Sequence, residues 1–201
     1  MISGSAKCFT DLDFKIKNSA TSRANASGVN LRMRSSLAGT YYVKQLSTAA
    51  SKHRLARSAK ILLEGYGVKS LREYQAQFQL TLAAIALESY AEMFRKKWYD
   101  VATDLVLFVN QVDFDQLRSI IPAAVVEKAR GQLSQQIHKD RLDSFNAGKN
   151  YEILSIVMAI RHCFAHGLIG SQLASAQFGQ PLATLTLDLI ERHCESVAAT
   201  I

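Results

Sequence analysis

The chain has 201 residues, 48% of them hydrophobic, and a formal net charge of +7. This length and composition suffice for one domain with a buried core, and no apolar run reaches the roughly 20 residues that a membrane-spanning helix needs. Three cysteines and no recognisable signal peptide argue against a secreted, disulfide-bonded protein and favour a cytoplasmic one.

The pattern along the chain favours an all-α fold. Only two prolines and ten glycines interrupt it, and strand-like alternation bounded by turn dipeptides is scarce. We therefore predict a helical bundle of four to six helices over residues 41–201. Residues 1–40 show no sustained periodicity and are predicted to form an irregular, basic N-terminal extension, within which KCFTDLDFKI is compatible with a short strand and NSATSRANASG with a loop.

Positive charge is concentrated in the N-terminal third. Residues 14–63 contain ten lysines and arginines and no acidic residue, whereas the chain from Glu64 onward contains thirteen basic and fifteen acidic residues. A segment of this kind suits a polyanion, because each phosphate that it neutralises releases counterions. A solvated, partly mobile arm has the same composition, so both interpretations stay open.

Periodicity and capping signals place the helices of the predicted bundle. Ser70 and Glu73 form the capping box SLRE at the start of a long helix, and Gly131 is a candidate break. Glycines end a helix and prolines begin one more often than other residues do. The predicted helices cover residues 41–64, Ser70 to Trp98, 100–109, a segment from Pro122, a segment capped by Asn150 and ended by Gly167 and Gly170, and a last segment from Pro181 to about residue 199.

The helix after Asn150 ends in the run MAIRHCFAHG, residues 158–167. A helical wheel divides this helix into two faces. One is an apolar stripe of Ile153, Ile156, Val157, Ile160 and Phe164, and the other carries Ser155, Ala159, His162 and His166. Because the helix has no charge from Leu154 to Ile160, the second face is either core or an interface with another subunit. Arg161 lies between the faces and cannot lose its charge, so we expect an anionic group to meet it.

The titratable residues at the end of this helix allow three chemical interpretations besides a site that binds an anion. A zinc site using His162 and His166, with His193 and Cys194 as distant partners, lacks a nearby carboxylate and a sharp spacing, so no metal is predicted. Cys163 lies beside the core stripe and is interpreted as a small buried side chain rather than a nucleophile. A structural histidine pair at a helix C-terminus is compatible with the helix dipole but leaves Arg161 unexplained.

The run Arg161-His162-Cys163-Phe164-Ala165-His166 resembles the Arg-polar-x-x-x-His motif of the HEPN superfamily (higher eukaryotes and prokaryotes nucleotide-binding domains). Members of that family are all-α bundles with the motif on a late helix. Many are metal-independent endoribonucleases, often toxins or antiviral defence effectors, that dimerise with two motifs at the interface. The resemblance implies a cytoplasmic ribonuclease without a cofactor, acting on RNA as a homodimer under the control of an antitoxin or other regulatory partner. It covers residues 151–170 in detail and 41–199 at the level of the fold.

The resemblance also implies roles for the motif residues. Arg161 would bind the scissile phosphate, His166 would act as base or acid, and His162 would orient the pair or share the proton transfer. On an ideal helix Arg161 and His166 lie about 140° apart, so two copies facing across a two-fold axis are expected to complete the site.

Further candidates lie outside the motif. Glu88 occupies the apolar middle of the long helix, where some family members place an acidic residue that contacts the motif; a surface charge, or a partner of Arg95 or Arg54, is the alternative. The RNA-binding candidates of the basic segment are Arg54, Arg57 and Lys60.

Two other functions compete with the nuclease. The first is a non-catalytic HEPN-like module that binds a nucleotide or a partner, and the second is a bundle whose histidine and arginine cluster is structural, with the basic arm binding nucleic acid. In one branch of the family a tyrosine two positions after the motif histidine is modified by a partner nucleotidyltransferase. Leu168 occupies that position here, so this mode of neutralisation is not expected.

Overall fold

The computed structural model describes residues 7–14, 32–60, 67–166 and 176–200. Within these ranges the chain forms helices and no strand, which confirms the predicted all-α fold. None of the helices in the described ranges is long and apolar enough to cross a membrane. The α-helices of the described part number nine: α1 (7–14), α2 (Arg32–Ser58), α3 (Val68–Met93), α4 (Trp98–Leu105), α5 (Gln111–Ile120), α6 (Ala123–Gln132), α7 (Gln136–Asn146), α8 (Ile153–Ala165) and α9 (Ala176–Thr200). Two 3-10 turns, Val106–Phe108 and Asn150–Glu152, complete the list.

The N-terminal region is more helical than its sequence indicated. Residues 7–14 form the helix α1 rather than the short strand with which their sequence is compatible, and they bury Cys8, Phe9 and Leu12. The spacing of Cys8 and Leu12 by four residues places both on one helix face, whereas in a strand this face would also include position 10, a threonine that is exposed here. α2 begins at Arg32 and runs through residue 40, the boundary predicted between extension and domain. The helix predicted over residues 41–64 ends earlier than expected, because α2 stops at Ser58 and residues 59 and 60 are not helical. The predicted loop at 18–28 and the terminating glycines Gly167 and Gly170 lie outside the described residues.

The long central helix α3 begins and ends at different residues from those predicted. Gly67 is its N-cap and no side chain caps it, so the capping box at Ser70 does not form. The helix stops at Met93 because Arg95 adopts a left-handed conformation with φ of 57°. The N–H groups of Arg95 and Lys96 then donate to the carbonyls of Glu92 and Ala91, a Schellman arrangement that satisfies the last turn. After this turn Trp98 is the first residue of α4 rather than the last of the long helix.

Of three further predicted helix boundaries, the two at the ends of α6 are correct and the one at the start of α9 is wrong. Pro122 precedes α6, and the helix breaks after Gln132, next to Gly131, as predicted. Pro181 lies inside α9 instead of starting it. The buried Phe178 packs the turn before the proline into the core, which offsets the hydrogen bond that the proline removes. The sequence analysis did not predict α5, whose Asn110 side chain accepts a hydrogen bond from the Asp113 N–H at 2.7 Å.

Helix α3 lies at the centre of the described fold. It packs against α2 and α9, and also against α4 and α8, while α8 packs against α6 and α7 as well. Its buried residues include Ala76, Ala83, Ala84, Ala86 and Ala91, and such small side chains let neighbouring helices approach closely on several sides. Adjacent positions of α3 therefore serve different neighbours: Ser89 accepts a hydrogen bond from Lys52 of α2, and Tyr90 contacts His193 of α9.

Candidate functional site

The motif lies where α8 leaves the core. Residues from Ile153 to Ile160 are all buried, whereas Arg161 and His162 are half-buried and His166 is exposed. The N-cap of α8 is Glu152, so the 3-10 turn that begins at Asn150 separates this asparagine from the helix that it was predicted to cap. The titratable residues are therefore confined to the last turn and the C-cap.

The second face of α8 is covered within the same chain as far as Ala159. Ser155, Met158 and Ala159 are all buried, and they line the same cavity as His138 and Arg141 of α7. The apolar stripe is also buried up to Ile160, and Phe164 at its end is half-buried. Burial of the second face therefore supplies no argument for a second subunit, and the question of an interface is limited to the exposed end of the helix.

Arg161 meets Glu88. The Nη2 atom of Arg161 donates to Oε2 of Glu88 at 3.2 Å, which brings the end of α8 against the middle of α3. Glu88 therefore contacts the motif and supplies the anionic group expected for this guanidinium. Both side chains keep about a third of their surface exposed, 30% for Arg161 and 35% for Glu88. An ion pair with this exposure contributes about 0.2–1 kcal/mol, so a second anion can compete for the guanidinium at little cost.

His162 and His166 form a contacting pair. Their ring centroids lie 4.5 Å apart with the planes tilted by 56°. Burial lowers the pKa of His162 below its ordinary value, and the nearby cationic forms of His166, Arg161 and His138 act in the same direction. His162 is therefore neutral at pH 7, with one ring nitrogen able to accept a proton.

Arg161, His162 and Glu88 line one side of a cavity of about 220 Å³. The other side comes from α4 and α7, which contribute Trp98, His138 and Arg141. His166 is not among the described residues that line this cavity. The cavity thus joins two of the three predicted catalytic residues with three residues distant in sequence.

No family model, curated protein or solved structure matches this chain. The resemblance to the HEPN superfamily is therefore limited to the six residues from Arg161 to His166 and their position at the end of a late core helix. What the site does has to be inferred from its own geometry.

The side of the cavity formed by α4 and α7 was not predicted from the sequence. His138 and Arg141 are three residues apart and so share a face of α7, but nothing local connects them to a motif twenty residues later. Nη1 of Arg141 lies 3.5 Å from both carboxylate oxygens of the buried Glu152. Its guanidinium carbon lies 5.6 Å from the centroid of the Trp98 ring, within cation–π range. Only the packing of α7 against α8 brings these groups to the motif.

The basic candidates occupy another part of the molecule. Arg54 and Lys60 are exposed near the end of α2. Arg57 is paired with Asp188 and with Glu191 of α9, the latter at 3.1 Å, and is therefore less available to a phosphate than the other two. None of these three residues is among the described residues that line the cavity at the motif.

The cysteines and the remaining histidines give no sign of a metal site or nucleophile. In the described residues, no group of three His, Cys, Asp or Glu side chains is arranged to hold a metal ion. Cys163 is buried with its sulfur 3.9 Å from the Ala129 carbonyl, and burial raises the pKa of its thiol. His193 bonds through Nδ1 to the Tyr90 hydroxyl at 2.7 Å. These residues therefore support the fold around the site.

Proposed function

We propose that this protein is a metal-independent endoribonuclease of the HEPN type. The observation that carries the proposal is the meeting of Arg161, His162 and Glu88 at one open cavity, with His166 in ring contact with His162. A permanent cation, a neutral imidazole and a second imidazole are the groups that RNA cleavage by its own 2′-hydroxyl requires.

The reaction assigns a task to each group. His162, held neutral by its surroundings, takes the proton of the 2′-hydroxyl, and the oxygen attacks the adjacent phosphorus. Arg161 binds the non-bridging oxygens and stabilises the charge of the phosphorane. His166 gives a proton to the departing 5′-oxygen, so the products are a 2′,3′-cyclic phosphate end and a 5′-hydroxyl end.

Glu88 positions Arg161 for this task. The hydrogen bond to Glu88 uses one of the five N–H donors of the guanidinium. The remaining donors are free to bind phosphate oxygens while the carboxylate fixes the orientation of the side chain. Since the ion pair is partly exposed, the phosphate gains this contact without a large electrostatic penalty.

A homodimer is part of the proposal. Arg161 lines the cavity while His166 is exposed at the C-cap, outside that lining. A second copy related by a two-fold axis would bring its own His166 to the cavity, and the two sites would be composite. In the cell we propose a cytoplasmic toxin or phage-defence effector whose activity is held in check by an antitoxin or other regulatory partner.

One observation favours a second candidate function, a non-catalytic module that binds a nucleotide or a partner. Glu88 already neutralises Arg161 in the isolated chain, and this arrangement also suits a site that holds an anion without transforming it. The two functions share the cavity and differ in whether a proton is transferred.

Incubation of the purified protein with varied single-stranded RNAs in EDTA separates these functions. We expect cleavage that leaves 2′,3′-cyclic phosphate ends and that falls by about 10²–10⁴-fold in His166→Ala, the usual contribution of an acid or base. Lys128→Ala is the matched control, because it removes an exposed charge of α6 that does not line the cavity. An inactive wild-type protein, or cleavage that survives in His166→Ala, would contradict the nuclease proposal.

A further inference from the structure

The cavity beside the motif has an aromatic wall for which the cleavage chemistry has no use. The rings of Trp98 and His138 lie nearly parallel, with an interplanar angle of 23° and centroids 6.2 Å apart. Tyr99 meets Trp98 edge-on at 5.6 Å. Flat aromatic surfaces beside a phosphate site are what proteins use to hold unpaired bases, because every base has a π-face that stacks.

Arg141 lies beside these rings and has one hydrogen-bond donor, its Nε–H group, that no described residue satisfies. Its guanidinium carbon lies 5.6 Å from the Trp98 centroid and 5.1 Å from that of Tyr99. The Nε atom of Arg141 is buried, yet it has no hydrogen-bond partner in the described part of the chain. A buried donor without an acceptor is unfavourable, and an oxygen or ring nitrogen of a ligand in the cavity would satisfy it.

The size and charge of the cavity limit what it can take. Its volume of about 220 Å³ is below the roughly 300–1,000 Å³ of pockets for drug-sized ligands, so it holds one base-sized group. Arg141 and Arg161 line the cavity, and each is paired with one carboxylate, Glu152 and Glu88 respectively. Each guanidinium keeps further N–H donors that an anion can use. A base inside a duplex is stacked on both faces and paired along one edge, so it cannot reach such a recess.

From these observations we infer that the cavity binds one unpaired nucleotide of single-stranded RNA, with its base against Trp98 and His138 and its phosphate toward Arg161. The position of the scissile phosphate in this arrangement rests on the proposed nuclease function. The recess itself makes the enzyme selective for single strands, since the neighbouring base must leave any helix before the phosphate reaches Arg161.

Trp98 is the only tryptophan of the chain, so intrinsic fluorescence reports on this cavity directly. We expect titration with adenosine 3′-monophosphate to quench the emission in a saturable way, and ribose 5-phosphate, which has no base, to leave it almost unchanged. His138→Ala and Arg141→Ala should weaken nucleotide binding by at least about tenfold, and Lys128→Ala should not. Equal responses to the two compounds, or unchanged binding in both cavity variants, would overturn the inference.

RNA binding by anisotropy extends the test beyond the mononucleotide. A labelled single-stranded hexanucleotide is titrated with His166→Ala protein, in which the RNA stays intact. Trp98→Ala should bind it at least about tenfold more weakly, while Trp98→Phe keeps most of the affinity because the ring can still stack. A blunt RNA duplex of the same sequence should bind far more weakly than the single strand. Equal affinity for the single strand and the duplex would contradict the inference, and so would equal affinity of Trp98→Ala and Trp98→Phe for the single strand.

Failure of this inference is distinguishable from failure of the proposed function. If adenosine 3′-monophosphate quenches Trp98 and the cavity variants lose binding while no RNA is cut, the nucleotide site stands and the nuclease does not. If RNA is cut with the same kcat/KM by wild type, Trp98→Ala and His138→Ala, the nuclease stands and the nucleotide site is refuted.

Discussion

A guanidinium at the edge of a core helix needs a partner, and at position 161 that partner is a carboxylate 73 residues earlier in the chain. The guanidinium of Arg161 stays charged at every physiological pH, and its hydrogen bond to Glu88 fixes the orientation of the side chain. His162, the next residue along α8, is held neutral by burial and by the positive charges around it. Two successive residues of one helix turn thus provide a fixed cation and a proton acceptor.

The lowered pKa of His162 predicts the acidic limb of the pH–rate profile. In the proposed nuclease His162 is the base and must be neutral to act, so kcat/KM should fall as pH drops through the pKa of His162 in the free protein. Since this pKa lies below the ordinary 6.5, we expect the midpoint of the acidic limb below pH 6.5. His162→Gln should lower kcat/KM by about 10²–10⁴-fold and remove that limb.

Initial rates on a short single-stranded RNA between about pH 4.5 and 8.5 give the profile, a range that brackets the ordinary pKa of a histidine. Lys128→Ala is the control for effects that any surface substitution would have on the profile. A limb with its midpoint at or above the ordinary pKa of 6.5, or one that persists unchanged in His162→Gln, would assign the base to another group.

At the scale of elements, the contact between α2 and α9 contains a buried histidine. His53 is 1% exposed, and its Nε2 donates to the Leu187 carbonyl at 3.1 Å. Burial lowers its pKa from 6.5 to about 4, so the ring is neutral at pH 7 although Oε1 of Glu191 lies 3.4 Å away. This contact is therefore that of a neutral ring beside a carboxylate whose own pKa is raised by burial.

This histidine predicts a loss of stability in mild acid. Its folded pKa is depressed from 6.5 to about 4, so between these two pH values the unfolded chain binds more protons than the folded one and the free energy of unfolding falls as pH falls. Across this interval the loss amounts to about 3 kcal/mol. The raised pKa of Glu191 acts in the opposite direction, so wild type alone does not isolate the effect.

Urea unfolding of wild type and His53→Gln at pH 7 and pH 4 isolates it, because the introduced amide can still donate to the Leu187 carbonyl and Glu191 is common to both proteins. We expect the difference in unfolding free energy between wild type and variant to shift by about 3 kcal/mol toward the variant at pH 4. Parallel pH dependence of the two proteins would show that His53 does not titrate between these values.

The helices and the site differ in how far the sequence could predict them. Apolar periodicity identified the all-α fold and the central helix, because these depend on local pattern. It missed α5, whose signal was a single cap at Asn110, and it placed Pro181 at a helix start although burial of Phe178 extends α9 before it. Glu88 could be recognised from the sequence as a charge in an apolar run. The position of His138 at the site could not, because it depends on the packing of α7 against α8.

At the scale of the whole molecule, the proposed site can be completed by one chain or by two, and the two arrangements place His166 differently. Within one chain, His162 lines the cavity and contacts His166, while His166 is exposed and lies outside the lining among the described residues. The burial of Ser155 and Ala159 in the same chain removes one reason for a dimer. The exposed position of His166 is the remaining reason to propose a composite site, in which this histidine would serve the cavity of a second copy.

Heterodimers with distributed substitutions decide between the two arrangements. Two chains with different affinity tags are co-expressed and the mixed dimer is purified through both tags. With Arg161→Ala in one chain and His166→Ala in the other, a composite site leaves one of two sites intact, so about half of the wild-type activity is expected.

The matched control pairs a wild-type chain with one carrying both substitutions, which removes one residue from each composite site and leaves neither active. If each chain instead completes its own site, the results reverse, because the control keeps one intact chain and the first pairing keeps none. Failure to recover a mixed dimer, with light scattering showing a monomer, would contradict the two-chain site directly.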